Sequence, residues 1–217
     1  MQDHFYHYTS YQSLLDIFNA NGNYEQAPGL KAGKRFIKYG NSKELPDKAH
    51  SGVIWGMLET RPLSFTELFW HEDQSFFEDC LEKSKGHLQP TILLKANLLP
   101  QDDVCVADWG VHLREEFKGT SMDDRKIVHE VKAAYWDSLV PLRDYGVDKQ
   151  HKIPEVICFN DIPEDRLEIN TVIPGSEMER YINTGHFDPE VLEQDKIKHD
   201  AMGKRVSSFL KKRIFSP

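Results

Sequence analysis

The residues whose types and spacing could do chemistry lie towards the two ends of the chain. In Phe5-Tyr6-His7-Tyr8-Thr9-Ser10 an imidazole and a hydroxyl stand two residues apart. On a strand that spacing puts Phe5, His7 and Thr9 on one face and Tyr6 and Tyr8 on the other. Glu155 heads the apolar run Val156-Ile157-Cys158-Phe159 and offers a carboxylate at a strand start. A fixed negative charge there stabilises positive charge developing beside it, by about 3–4 kcal/mol when preorganised. The plain alternative is an exposed residue at a strand end. Asp161, Glu164, Asp165 and Glu168 crowd nearby and read as a solvated acidic turn. Arg35 carries the planar fork that matches paired phosphate oxygens, with Lys34 and Lys38 beside it. Asp108, His112 and His7 are of the types that metals take. No His-Glu-x-x-His occurs, and Cys80, Cys105 and Cys158 have no metal-site spacing.

The elements that must hold these groups follow from local pattern. Phe5 to Thr9 reads as a strand. Thr9 or Ser10 caps a helix with Leu14, Leu15, Ile17 and Phe18 at helical spacing, and Gly22 stops it. Residues 19–33 form a polar loop, and Phe36 to Tyr39 a short strand turning at Gly40-Asn41. Gly52 to Leu58 is continuously apolar and is read as helix begun after Asp47 and broken by Pro62. Residues 63–85 read as helix. Thr91 to Lys95 and Val104 to Asp108 read as buried strands. Val111 to Phe117 is a short helix, and a stronger one carries Ile127, Val131, Ala134 and Tyr135 on one face. Ile153 to Phe159 is a strand with a proline near its start. Leu167, Ile169, Thr171 and Ile173 alternate on one side of the last strand. Residues 200–215 form a basic helix.

Composition narrows the class. The chain has 217 residues, 39% apolar, enough for a packed core. Its net charge of −8 disfavours broad contact with nucleic-acid phosphates. No apolar run approaches the roughly 20 residues that span a bilayer, and the start lacks a signal-peptide pattern. The expectation is a soluble, cytoplasmic protein with buried, reduced thiols. The order of elements lacks regular βαβ alternation and a Gly-rich phosphate loop, so an α+β domain is expected.

Two of these stretches resemble the ADP-ribosyltransferase superfamily, in its bacterial His-Tyr-Glu form. Tyr6-His7-Tyr8-Thr9-Ser10 followed by a helix resembles the first core strand of that fold. Ile153-Pro154-Glu155-Val156-Ile157-Cys158-Phe159-Asn160-Asp161-Ile162-Pro163 resembles its late strand and Ile-Pro turn. The poly-ADP-ribose polymerases have glycine where Tyr8 stands. The resemblance covers about the first sixty residues and residues 150–175, and the middle of the chain matches nothing in the family. It implies an ADP-ribosyltransferase-like split β-sheet core with helical insertions over residues 1–175, to which the residue pattern adds a helical middle at 63–145 and a C-terminal helical appendage at 176–217.

It also implies an activity, that of a mono-ADP-ribosyltransferase of the toxin or effector kind, with NAD as substrate and no metal. His7, Tyr8 and Thr9 would hold NAD, and Glu155 would be the catalytic carboxylate. Tyr39 would stack on nicotinamide, with Trp55 as its rival. Arg35 and Ser42 would complete the dinucleotide contacts. A protein acceptor is preferred over nucleic acid, and a membrane partner is not expected. The alternatives are an inactive NAD-binding module of the same fold, an NAD glycohydrolase, a modifier of nucleic acid, and a metallohydrolase on His7, Asp108 and His112.

Overall fold

The computed structural model describes residues 2–18, 28–33, 46–60, 90–117, 125–146, 151–188 and 191. The predicted strand at Phe36–Tyr39, the helix at 63–85 and the basic helix at 200–215 lie outside them. The described residues form an α+β fold. In chain order the elements are β1 (His4–Ser10), α1 (Tyr11–Ile17), β2 (Gly29–Leu30), β3 (Ile54–Gly56), β4 (Thr91–Asn97), β5 (Val104–Asp108), α2 (Arg125–Asp137), β6 (Val140–Pro141), β7 (Pro154–Cys158), β8 (Ile162–Pro163), β9 (Leu167–Ile173) and α3 (Met178–Thr184). Among the described residues no helix is long and apolar enough to cross a membrane.

The chain divides into two units. One comprises Met1–Phe5, Leu30–Leu58 and Asn97–Ile162. Its sheet runs β3-β7-β5-β6, and each of its pairings is antiparallel. Trp55 pairs with Ile157, Cys105 with Ile157 and Ala107 with Glu155. Side chains alternate across a strand, so Trp55, Cys105, Ala107, Glu155 and Ile157 share one face. On that face Cys105, Ala107 and Ile157 pack with Val131, Tyr135 and Trp136 of α2 in one buried cluster. Helical spacing of Ile127, Val131, Ala134 and Tyr135 is what lets α2 do this, and all four belong to or line the cluster.

The expected helix after Asp47 is replaced by a 3-10 turn, Asp47–Ser51, and then the strand β3. A continuous apolar run carries no period to separate helix from strand. Val53, Ile54 and Trp55 favour the pleated form, and pairing with β7 settles it. Gly52 makes the change of direction at φ 122°, and Gly33 and Val53 bridge beside it. A Cβ on Gly52 would stand 2.7 Å from the Ala32 carbonyl oxygen.

The other unit comprises Tyr6–Gly29, Glu59–Ala96 and Pro163–Pro217. Its sheet runs β1-β4-β9, with β4 and β9 antiparallel. The register shifts between Leu93 and Leu94, which face Thr171 and Ile169 and leave Asn170 as the extra residue. This bulge corrects the expected alternation, because it puts Leu167 and Ile169 with Val172 rather than with Thr171 and Ile173. The segment α3 buries Met178 and Tyr181 at i, i+3 spacing.

Gly52→Ala is expected to cost at least ~2 kcal/mol in urea unfolding, from a strained positive φ and a backbone clash together. A neutral result would contradict the turn geometry given for β3.

Candidate active site

Glu155 is the second residue of β7 and is half-buried. The Tyr135 hydroxyl donates to its Oε2 at 3.3 Å. Tyr135 is fully buried, and its ring is confined by three of the chain's four tryptophans. It stacks on Trp55 at 6.5 Å and 23°, and meets Trp109 edge-on at 6.1 Å and 85°. Trp136 meets it edge-on at 5.0 Å and 78°. The sheet face that carries Glu155 is therefore aromatic, and one phenol reaches the carboxylate from within the core. Tyr135 was legible only as a core residue of a helix, because its partner lies 20 residues away in sequence.

Asp108 organises the backbone around Glu155. It is 3% exposed, yet its carboxylate is well supplied. Oδ1 accepts from the Gly110 N–H at 3.0 Å and the Ile153 N–H at 3.1 Å. Arg114 Nη2 stands 3.5 Å from Oδ2. The Trp109 N–H donates to the Ile153 carbonyl at 2.8 Å. Asp108 thus joins the end of β5 to the residue just before β7. Its own N–H donates to Ser138 Oγ, and that hydroxyl donates to the Tyr135 carbonyl at 2.6 Å. Both carboxylate oxygens are occupied by protein groups, so Asp108 is a structural hub and not an open metal ligand. Among the described residues no group of His, Cys, Asp and Glu converges to hold a metal.

Lys48, in the 3-10 turn Asp47–Ser51, reaches Cys105 of the same sheet. Its Nζ lies 2.9 Å from Asp103, 3.3 Å from Cys105 Sγ and 4.1 Å from the centre of the Phe159 ring. Burial pushes the Cys105 thiol above its ordinary value, and the Lys48 ammonium offsets part of this. Burial pulls Lys48 down, but hydrogen bonding and charge from Asp103 and Cys105 outweigh it and hold the ammonium above its ordinary value. Burial likewise raises the Tyr145 phenol. Asp161, expected in a solvated acidic turn, is exposed but accepts from the Ala32 N–H at 2.9 Å and pairs with Lys31 at 3.1 Å.

His7, Tyr8 and Thr9 lie on β1, where Thr9 is 5% exposed and His7 half-buried. Tyr8 is buried, and its hydroxyl donates to the Thr60 carbonyl. Tyr181 of α3 donates to the same carbonyl at 3.4 Å. Ser10 is the cap of α1, at φ −73° and ψ 157°, and accepts from the Ser13 N–H at 3.2 Å. A strand, a cap and a helix therefore follow one another as the sequence implied. Phe5 belongs to the unit that holds Glu155, and His7, Tyr8 and Thr9 belong to the other. Arg35, Tyr39 and Ser42 lie outside the described residues. His112 falls in the 3-10 turn Trp109–Leu113.

No family model, no curated protein and no solved structure matches the chain.

Two outcomes follow from this geometry. Asp108→Ala leaves two buried N–H groups and Arg114 without their acceptor, and is expected to cost about 3 kcal/mol in urea unfolding. A loss under ~1 kcal/mol would remove Asp108 as the hub. The three raised groups all bind protons more tightly folded than unfolded. Each one's contribution is complete below its ordinary value, 9.0 for the Cys105 thiol, and is lost as pH rises through the folded value. Tyr145 and Lys48 act in the same direction from 10.0 and 10.5. The urea midpoint is therefore expected to fall between about pH 8 and about pH 11, and a flat or rising profile would contradict the burial of the Cys105 thiol.

Proposed function

We propose that the chain is a mono-ADP-ribosyltransferase that cleaves NAD and transfers ADP-ribose to a protein acceptor. The observation that carries this reading is Glu155, a half-buried carboxylate on a central strand with one oxygen bonded by a fully buried tyrosine. The opening strand with His7 and Thr9, capped by Ser10 into α1, supports it. The α+β class of the described residues is compatible with the fold that the resemblance implies.

On this reading NAD is a substrate. Glu155 accepts a hydrogen bond from the 2′-hydroxyl of the nicotinamide ribose. Its charge stabilises the oxocarbenium-like carbon as the bond from C1′ to nicotinamide nitrogen breaks. Nicotinamide leaves with the electron pair. A nucleophile on the acceptor then gives a lone pair to C1′ and loses its proton. His7 and Thr9 hold the ribose and the amide, Tyr39 stacks on nicotinamide, and Arg35 and Ser42 meet the rest of the dinucleotide. Trp55 is the rival platform, because it shares the sheet face of Glu155. The net charge of −8 favours a protein acceptor over a phosphate backbone. The chemistry asks for no metal.

The test is release of free nicotinamide from NAD by the purified protein. Glu155→Gln is expected to lower the rate by about 100-fold or more while NAD still binds. Equal rates in both forms would overturn the role of Glu155. NAD binding with no release from the wild type would favour a ligand-binding module, and neither binding nor release would sink the reading.

A further inference from the structure

We propose that Tyr135 is a positioning residue for Glu155, fixing the carboxylate from inside the core; this rests on the NAD-cleaving reading above. A carboxylate stabilises a developing charge well only when its orientation is set before the reaction. A glutamate at a half-buried strand position has its own rotamer freedom, and the backbone of β7 does not remove it.

Tyr135 can remove it, because the tyrosine is itself held at both ends. At the ring end, Trp55, Trp109 and Trp136 confine it by one stacked and two edge-on contacts. At the backbone end, its carbonyl accepts from Ser138 Oγ, which in turn accepts from the Asp108 N–H. Asp108 belongs to β5, the strand next to β7, and Ala107 beside it pairs with Glu155. The phenol and the carboxylate are thus placed by adjoining residues of one hydrogen-bonded frame. A tyrosine has two χ angles, so with ring and backbone fixed its hydroxyl position is fixed too. The hydroxyl donates to the carboxylate Oε2 at 3.3 Å.

The decisive measurement is steady-state nicotinamide release by the full chain and its Tyr135→Phe variant. The ring contacts survive this change, so the fold is expected to persist. The kcat is expected to fall about tenfold with KM for NAD within about twofold, since the lost bond acts on the charge that develops rather than on binding. In a Glu155→Gln background the same change is expected to have no further effect. Ser138→Ala, which removes the hydroxyl that links the Tyr135 carbonyl to the Asp108 N–H without touching the rings, is expected to lower kcat about threefold with KM unchanged, and serves if Tyr135→Phe does not fold. An active wild type with an unchanged Tyr135→Phe variant, or equal losses with and without Glu155, overturns the inference alone. A wild type that releases no nicotinamide overturns the proposed function, and the positioning role with it.

Discussion

The unit that carries Glu155 depends on a buried carboxylate. Asp108 has almost no contact with water, so its charge must be met by protein groups. Two N–H groups and one guanidinium meet it, and all three come from chain that flanks the strands rather than from the strands themselves. Gly110 and Arg114 lie in and just after the 3-10 turn that follows β5, and Ile153 directly precedes β7. Remove the carboxylate and the entry to β7 loses one of its two ties to the end of β5, leaving the Ile153 carbonyl bonded to the Trp109 N–H. The small residue at Gly110 is part of this arrangement. A Cβ there would stand 2.7 Å from the Lys152 side chain and 3.1 Å from Asp108 Oδ1.

Sequence pattern revealed much of the sheet and little of the frame. β1, β4, β5 and β7 were legible because their apolar and β-branched runs are short and bounded by turn residues. The helix α2 was legible from spacing alone, with Val131 and Tyr135 four residues apart on the covered face. The strand β3 was not, because its pattern has no period and only its neighbour β7 decides between the two forms. The bulge at Asn170 was not legible either, since a one-residue register shift is set by the partner strand. Asp108 looked like a metal ligand on residue type. Its role is set by two amides that the sequence places 2 and 45 residues away.

Glu155 shows the same division. Its place at the head of an apolar strand could be read locally. Its partner could not, because the Tyr135 hydroxyl reaches it only after α2 is laid across the sheet. Trp55 stands in the continuously apolar run that was read as helix. It is half-buried and stacks on the tyrosine that bonds Glu155, so its packing and its nearness to the carboxylate are one fact.

Charge adds a constraint on the proposed substrate. NAD carries a pyrophosphate, and a chain of net charge −8 repels it at long range. A local cation must offset this. In the unit of Glu155, Lys31 is paired with Asp161, Lys48 with Asp103 and Arg114 with Asp108. An ammonium or guanidinium already bonded to a carboxylate is a poor partner for phosphate, because the carboxylate must be displaced first. The sequence offers another group in Lys34, Arg35 and Lys38, three cations within five residues. On the proposed reading the pyrophosphate falls to them, with Arg35 supplying the bidentate fork.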